Sequence, residues 1–194
     1  MKSYANRILL PVLVFATLGA GVGEAKECKG VNFPDQAQVE GSSLILNGLG
    51  LRQATMMKVN VYVAALYVTK TSTDPKALLG SNEPSELILQ FVRNVGAEDL
   101  RKGWSEGFEK NSKDQLPALK DRIAMLNGWM GDVKTGERLT FIHKPGTGLQ
   151  VDVNGAVKGI IKGDDFAKAF FAIWLGGDPP NPEIKAGILG GACG

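Results

Sequence analysis

One histidine and two cysteines are all that this 194-residue chain offers as imidazole or thiolate ligands. Four-ligand zinc sets and paired-cysteine redox motifs need more, so no metal and no cofactor is expected. A charge excess of either sign is missing too, with 22 Lys and Arg against 20 Asp and Glu. That near balance gives no electrostatic footprint for nucleic acid. No apolar run reaches the roughly 20 residues that cross a bilayer, so a spanning helix is not expected. Ser105 and Ser112 sit in no nucleophile-elbow pattern. Gly48-Leu49-Gly50 has no third glycine at the spacing of a dinucleotide loop, and a strand pattern follows it where that loop needs a helix.

The N-terminus carries an export pattern. Lys2 and Arg7 precede an apolar stretch from Ile8 to Leu18, and Gly23-Glu24-Ala25 places small residues at the −3 and −1 positions of a cleavage site. Residues 1–25 therefore read as a secretory signal peptide and 26–194 as one domain. The periplasm is the expected location, with secretion as the alternative. Cys28 and Cys193 lie at the two ends of the mature chain. In an oxidising compartment they are expected to pair, since domain termini often lie close together. The chain-entropy argument puts an upper figure of about 4–5 kcal/mol on such a long loop. Two free or intermolecular thiols are the alternative.

Along the mature chain, Phe33 to Val39 and Leu44-Ile45-Leu46 read as short strands, the second stopped by a glycine turn at Asn47-Gly48. Met56 to Thr69 is the longest strand candidate, rich in β-branched and aromatic residues. Thr71 to Gly80 reads as a short helix capped by Thr73, and Glu86 to Val95 as a strand. Ala97 to Lys110 is helical, with Leu100, Trp104 and Phe108 on one stripe; Gln115 to Met130 is a second helix. Glu137 to His143, Gly148 to Val153 and Ala156 to Ile161 form a meander, its last turn marked by Asn154-Gly155. Asp164 opens an apolar helix, and Glu183 to Leu189 forms the last one. Strands and helices are segregated and hairpins dominate. The fold class is α+β, a mostly antiparallel sheet with a helical layer on one face. A pocket between those layers is the natural ligand site.

Few residues stand out as chemistry. Arg52, delivered by the glycine segment, is either a surface arginine or a rigid donor fork for a carboxylate or phenolate. Tyr62, inside an apolar run, reads first as core with a polar tip. His143 reads as a strand-end residue, without a serine or cysteine nucleophile nearby. Glu98-Asp99 and Asp164-Asp165 stand at helix starts, where capping explains them.

The segment Leu46-Asn47-Gly48-Leu49-Gly50-Leu51-Arg52, with Lys58 and Val61-Tyr62-Val63-Ala64-Ala65-Leu66-Tyr67-Val68, resembles the core signature of the chalcone isomerase family. The likeness is to its bacterial exported branch. Phe166 to Gly176, then Pro179 to Gly190, resemble that branch's late helix and tail. The resemblance implies an antiparallel sheet under helices. It also implies that Arg52 is the turn arginine on which the plant isomerases depend for closing a chalcone into a flavanone. Their other polar residues are not kept: Tyr62 stands for a strand threonine, Asp99 and Glu106 for a tyrosine and an asparagine, and Ile173 for a late-helix threonine or serine. The plant fatty-acid-binding members hold a carboxylate with the arginine and a strand tyrosine, and Arg52 with Tyr62 resembles that pair.

The reading that results is a non-catalytic binder of a small apolar carboxylate or phenolic ligand, such as a fatty acid, through Arg52 and Tyr62. The alternatives are an intramolecular lyase in which Arg52 is the catalytic residue, and an envelope interaction module without a small ligand.

Overall fold

The computed structural model describes residues 25–194. The expected signal peptide lies outside the described residues except for Ala25, which opens the first strand. A two-stranded hairpin comes first, β1 Ala25–Cys28 and β2 Val31–Pro34. The main sheet then runs through β3 Gln36–Val39, β4 Ser42–Ala54, β5 Val59–Val68, β6 Ser85–Phe91, β7 Arg138–Lys144, β8 Gly148–Val153 and β9 Ala156–Lys162. Every neighbouring pair is antiparallel, and the spatial order is the chain order. The helices are α1 Pro75–Gly80, α2 Ala97–Ser112, α3 Leu116–Trp129, α4 Asp164–Leu175 and α5 Pro182–Ile188. Among the described residues no helix is long and apolar enough to cross a membrane.

The pleat divides the apolar residues between two cores. Tyr62, Ala64 and Leu66 on β5 and Leu87, Leu89 and Phe91 on β6 face the helices, which answer with Trp104, Phe108, Phe170 and Trp174. Val63, Ala65 and Tyr67 face the other way, into a smaller core with Val31 and Phe33 of the β1–β2 hairpin. A Cys28–Cys193 disulfide, with Cα atoms 5.9 Å apart, ties that hairpin to the C-terminus. The helical layer is held at its ends by polar contacts. Asn111 at the end of α2 donates to the Asp178 carbonyl (2.9 Å) and accepts from the Asp178 amide (2.9 Å). Arg122 on α3 grips Asp165 on α4 through two 2.7 Å bonds, which hold the Asp165 carboxyl below its ordinary range.

Four expectations need correction. No turn stands at Asn47-Gly48; β4 runs through it with a bulge between Leu46 and Gly48. Asn47 is the extra residue, and its amide bonds Ser72 on both sides and donates to the Ile188 carbonyl at 2.7 Å, so the bulge anchors two connections. Nor does the long strand begin at Met56. Thr55 to Lys58 is the hairpin turn, with positive φ at both Thr55 and Lys58, and it leaves Met56 and Met57 exposed. Finally, the acidic pairs are not side-chain caps. Asp132 supplies the bond to the Ala97 amide at the start of α2. Asp164 accepts from the Gly146 amide (3.0 Å) and lies 3.2 Å from His143 Nε2. The Gly146 bond, followed by the His143 contact, holds the Asp164 carboxyl below its ordinary range. His143 is 5 % exposed and acts as a strut between β7 and α4. The short helix α1 is capped by Asp74 rather than Thr73.

Candidate ligand-binding cleft

Arg52 and Tyr62 are register partners across the β4–β5 ladder. Directly opposite residues of an antiparallel pair put their side chains on one face, within about 5.5 Å at Cβ. That face is the helix-facing one, because Gly48 and Gly50, which alternate with Arg52, pack beneath α5. The next step of the ladder pairs Tyr62 with Phe91, whose ring centroid lies 5.4 Å from the tyrosine ring. Arginine, phenol and phenyl thus form a row across three strands.

A second bulge shapes the wall. The ladder shifts between Arg52 and Gln53, so that Gln53 pairs with Asn60 and Val61 is left as the extra residue. Bulges re-aim side chains. Here Val61 joins Tyr62 on the cleft instead of alternating to the far side of the sheet.

The row forms one wall of a cleft of about 570 Å³ beneath α2, within the usual range for small-molecule sites. Its apolar lining includes Val61, Phe91, Leu100, Trp104 and Ile173, while Arg93, Asp99, Lys102 and Glu106 stand around it. Gly107 lets α2 close on α4, since a Cβ there would fall 2.6 Å from Ile173 Cγ2. All four positions at which the sequence resemblance implies a departure from the plant isomerases, Tyr62, Asp99, Glu106 and Ile173, line this cleft together with Arg52.

Two of the cleft's lysines already have partners: Lys102 lies 3.9 Å from Glu106, and Lys110 lies 3.6 Å from Asp178. Arg52 has no carboxylate partner among the described residues; its Nη1 donates to the Gln53 carbonyl. Asn181 steadies this stretch of β4 by donating to the Leu51 carbonyl (3.2 Å) and accepting from the Gln53 amide (3.3 Å).

Tyr62 is 6 % exposed, and its hydroxyl oxygen accepts from Trp174 Nε1 at 3.0 Å. Burial pushes its pKa up to about 12, against the opposing pull of the Trp174 bond and the Arg52 charge. At neutral pH the phenol keeps its proton and is a hydrogen-bond donor, not a base.

Sequence reasoning placed Arg52 and Tyr62 together but did not identify Trp174, which it saw only as part of the apolar helix opened by Asp164, as the hydroxyl's partner. It also gave Trp104 no polar role. That indole's Nε1 is buried without a hydrogen-bond partner among the described residues, although the ring lines the cleft. Periodicity showed both tryptophans as buried; only the three-dimensional neighbours distinguish their N–H groups. A second hollow beside His143 and Lys168 has a volume of about 20 Å³, room for one water.

The family model described as chalcone isomerase-like matches residues 25–190. The chain belongs to the chalcone isomerase-like family. A comparison with curated proteins returned no match. Among solved structures, this chalcone isomerase-like protein is similar to the crystal structure of a fatty-acid binding protein from Arabidopsis thaliana. Identity is 16 %, the alignment covers 86 % of this chain and 96 % of the other, and the TM-score is 0.65. At that identity the likeness establishes the fold alone, an antiparallel sheet with a helical layer.

Proposed function

We propose that this protein binds, without transforming, a small apolar acid in the cleft between α2 and the sheet. The observation that carries the reading is the opposition of Arg52 and Tyr62 on the wall of the 570 Å³ cleft. A guanidinium without a carboxylate partner and a neutral phenol together offer a carboxylate two charge-assisted donors. The apolar lining takes the tail, and each methylene buried there contributes roughly 0.8 kcal/mol. The fatty-acid binding activity named for the similar plant structure agrees with this reading. We place the protein in the periplasm as a single domain over 26–194, exported by the residue 1–25 signal; the export pattern of the sequence supports this.

Purification under native conditions followed by organic extraction should release an acyl compound visible by mass spectrometry. Arg52→Ala should weaken binding of a saturated C12 acid about tenfold or more, the loss of one hydrogen-bonded charge pair. An empty protein that fails to bind such acids, or an Arg52→Ala variant that binds them as wild type does, refutes the reading. The lyase alternative lacks its neutral hydrogen-bonding partners: carboxylates stand at Asp99 and Glu106, and Ile173 offers none. Incubation with a 2′-hydroxychalcone should therefore give no closure above the spontaneous rate.

A further inference from the structure

We propose that Trp174 is a positioning residue for the head-group site, and that it makes Tyr62 an obligate hydrogen-bond donor toward the ligand. The inference rests on the binding function proposed above and extends it to a residue that lies behind the cleft wall. An indole N–H can only donate, so in the 3.0 Å contact the Tyr62 oxygen must be the acceptor. A phenolic hydrogen lies in the ring plane and has two positions. The one facing Trp174 Nε1 is blocked by the indole's own hydrogen. The proton is left on the opposite side, and among the described residues no protein group accepts it. Tyr62 lines the cleft and stands opposite Arg52, so an oxyanion bound to that guanidinium is the acceptor this arrangement lacks.

Packing keeps the device rigid. Trp174 is 1 % exposed and is wedged between Trp104 and Phe170, with ring centroids at 5.7 and 5.1 Å. A tyrosine free to rotate its hydroxyl could accept from a donor ligand as readily as it donates to an acid. Held by Trp174, it keeps its proton for an acceptor, so it disfavours ammonium groups, which can only donate, and favours carboxylates, which can only accept. The selectivity of the site is thereby set partly by a side chain on α4, one layer removed from the ligand.

The test compares a saturated C12 acid with its methyl ester in wild type, Trp174→Phe, Tyr62→Phe and the double variant. The acid-over-ester affinity ratio should fall about fivefold in each single variant and no further in the double, because both remove one unit. If Trp174→Phe weakens acid and ester equally, and Tyr62→Phe adds its full loss on top, Trp174 only packs and the proposal fails. A ligand-free reading comes from Raman spectroscopy. The difference spectrum between wild type and Trp174→Phe should show one tyrosine leaving the acceptor state, while Tyr67, which donates to the Pro34 carbonyl at 2.8 Å, cancels. No such change would overturn the orientation. Should Trp174→Phe not fold, Tyr62→Phe reads the same bond from the other end: one indole N–H band should move to an unbonded position, and a band that stays put refutes the contact. A wild type that binds neither compound refutes the binding function itself, and the Raman change then still decides whether Trp174 orients Tyr62.

Discussion

Gly50→Val should destabilise the fold by at least about 3 kcal/mol, the upper range for overpacking a filled interior. A Cβ on Gly50 would fall 2.2 Å from the Ile184 carbonyl oxygen and 2.9 Å from Ile184 Cγ1. Gly48 is as tight, 2.2 Å from the Gly187 carbonyl oxygen, and a Cβ on Gly187 would meet the Leu49 carbonyl oxygen at 2.3 Å. Backbone lies on backbone here, so no rotamer change relieves the clash. α5 would have to lift away from β4, exposing Ile184 and Ile188, which are at most 1 % exposed. The strain would reach the cleft, because Asn181, just before α5, holds the β4 backbone on both sides of Arg52. Gly128→Ala on α3 is the control: nothing lies within 4 Å of its Cβ position, and a helical alanine should be neutral or stabilising by up to about 1 kcal/mol. Urea midpoints at fixed pH decide it; a Gly50→Val protein that unfolds with wild type would show that α5 does not rest on β4 as described.

These glycines also show where the sequence was legible and where it was not. The α+β order, all the major helices and the β7–β9 meander were readable, because periodicity and turn residues act over a few neighbouring positions. Asn47-Gly48-Leu49-Gly50 carried every local mark of a turn, yet it is strand. Its glycines answer to a helix more than 130 residues further along the chain, and no local rule carries that information. The turn at Thr55–Lys58 was missed for the opposite reason. It contains no glycine, asparagine or proline, and two methionines made it look like apolar strand.

The site was legible in part. Arg52 and Tyr62 stood out in the local sequence, a family resemblance made them a carboxylate-holding pair, and the pairing register explains why they meet. Composition could not supply the bulge at Val61, which decides which way the neighbouring side chain points. Nor could it show that Glu98 and Asp99 leave the capping of α2 to Asp132, 35 residues along the chain from the amide it bonds. Capping is predictable when the cap is adjacent in sequence and opaque when it comes from another loop.

On the opposite face of the sheet, Glu86→Gln should stabilise the protein by about 3 kcal/mol at pH 8 while changing little at pH 4. Glu86 sits on β6 between Tyr67 and Ile142, is 9 % exposed, and has no ion-pair partner among the described residues. Burial, and then the charge of Asp152, raises its pKa from an ordinary 4.5 to about 7. The folded state therefore binds the proton more tightly than the unfolded chain does. Stability linked to this group is complete below pH 4.5, falls as pH rises through the window from 4.5 to 7, and is gone above it. A shift of that size corresponds to about 3 kcal/mol at 1.36 kcal/mol per unit. Glutamine keeps the shape and carries no charge, so it should flatten this part of the curve. Asp152→Asn should recover only the smaller share, because desolvation is the larger cause. The neutral acid also suits Tyr67, whose pKa is raised by burial and by Glu86, and whose hydroxyl holds the Pro34 carbonyl at the hairpin that the disulfide anchors. Chemical denaturation of wild type and both variants at pH 4 and pH 8 gives the answer. If wild type and Glu86→Gln lose stability in parallel between those values, the proton sits elsewhere and the carboxylate is solvated in the folded state.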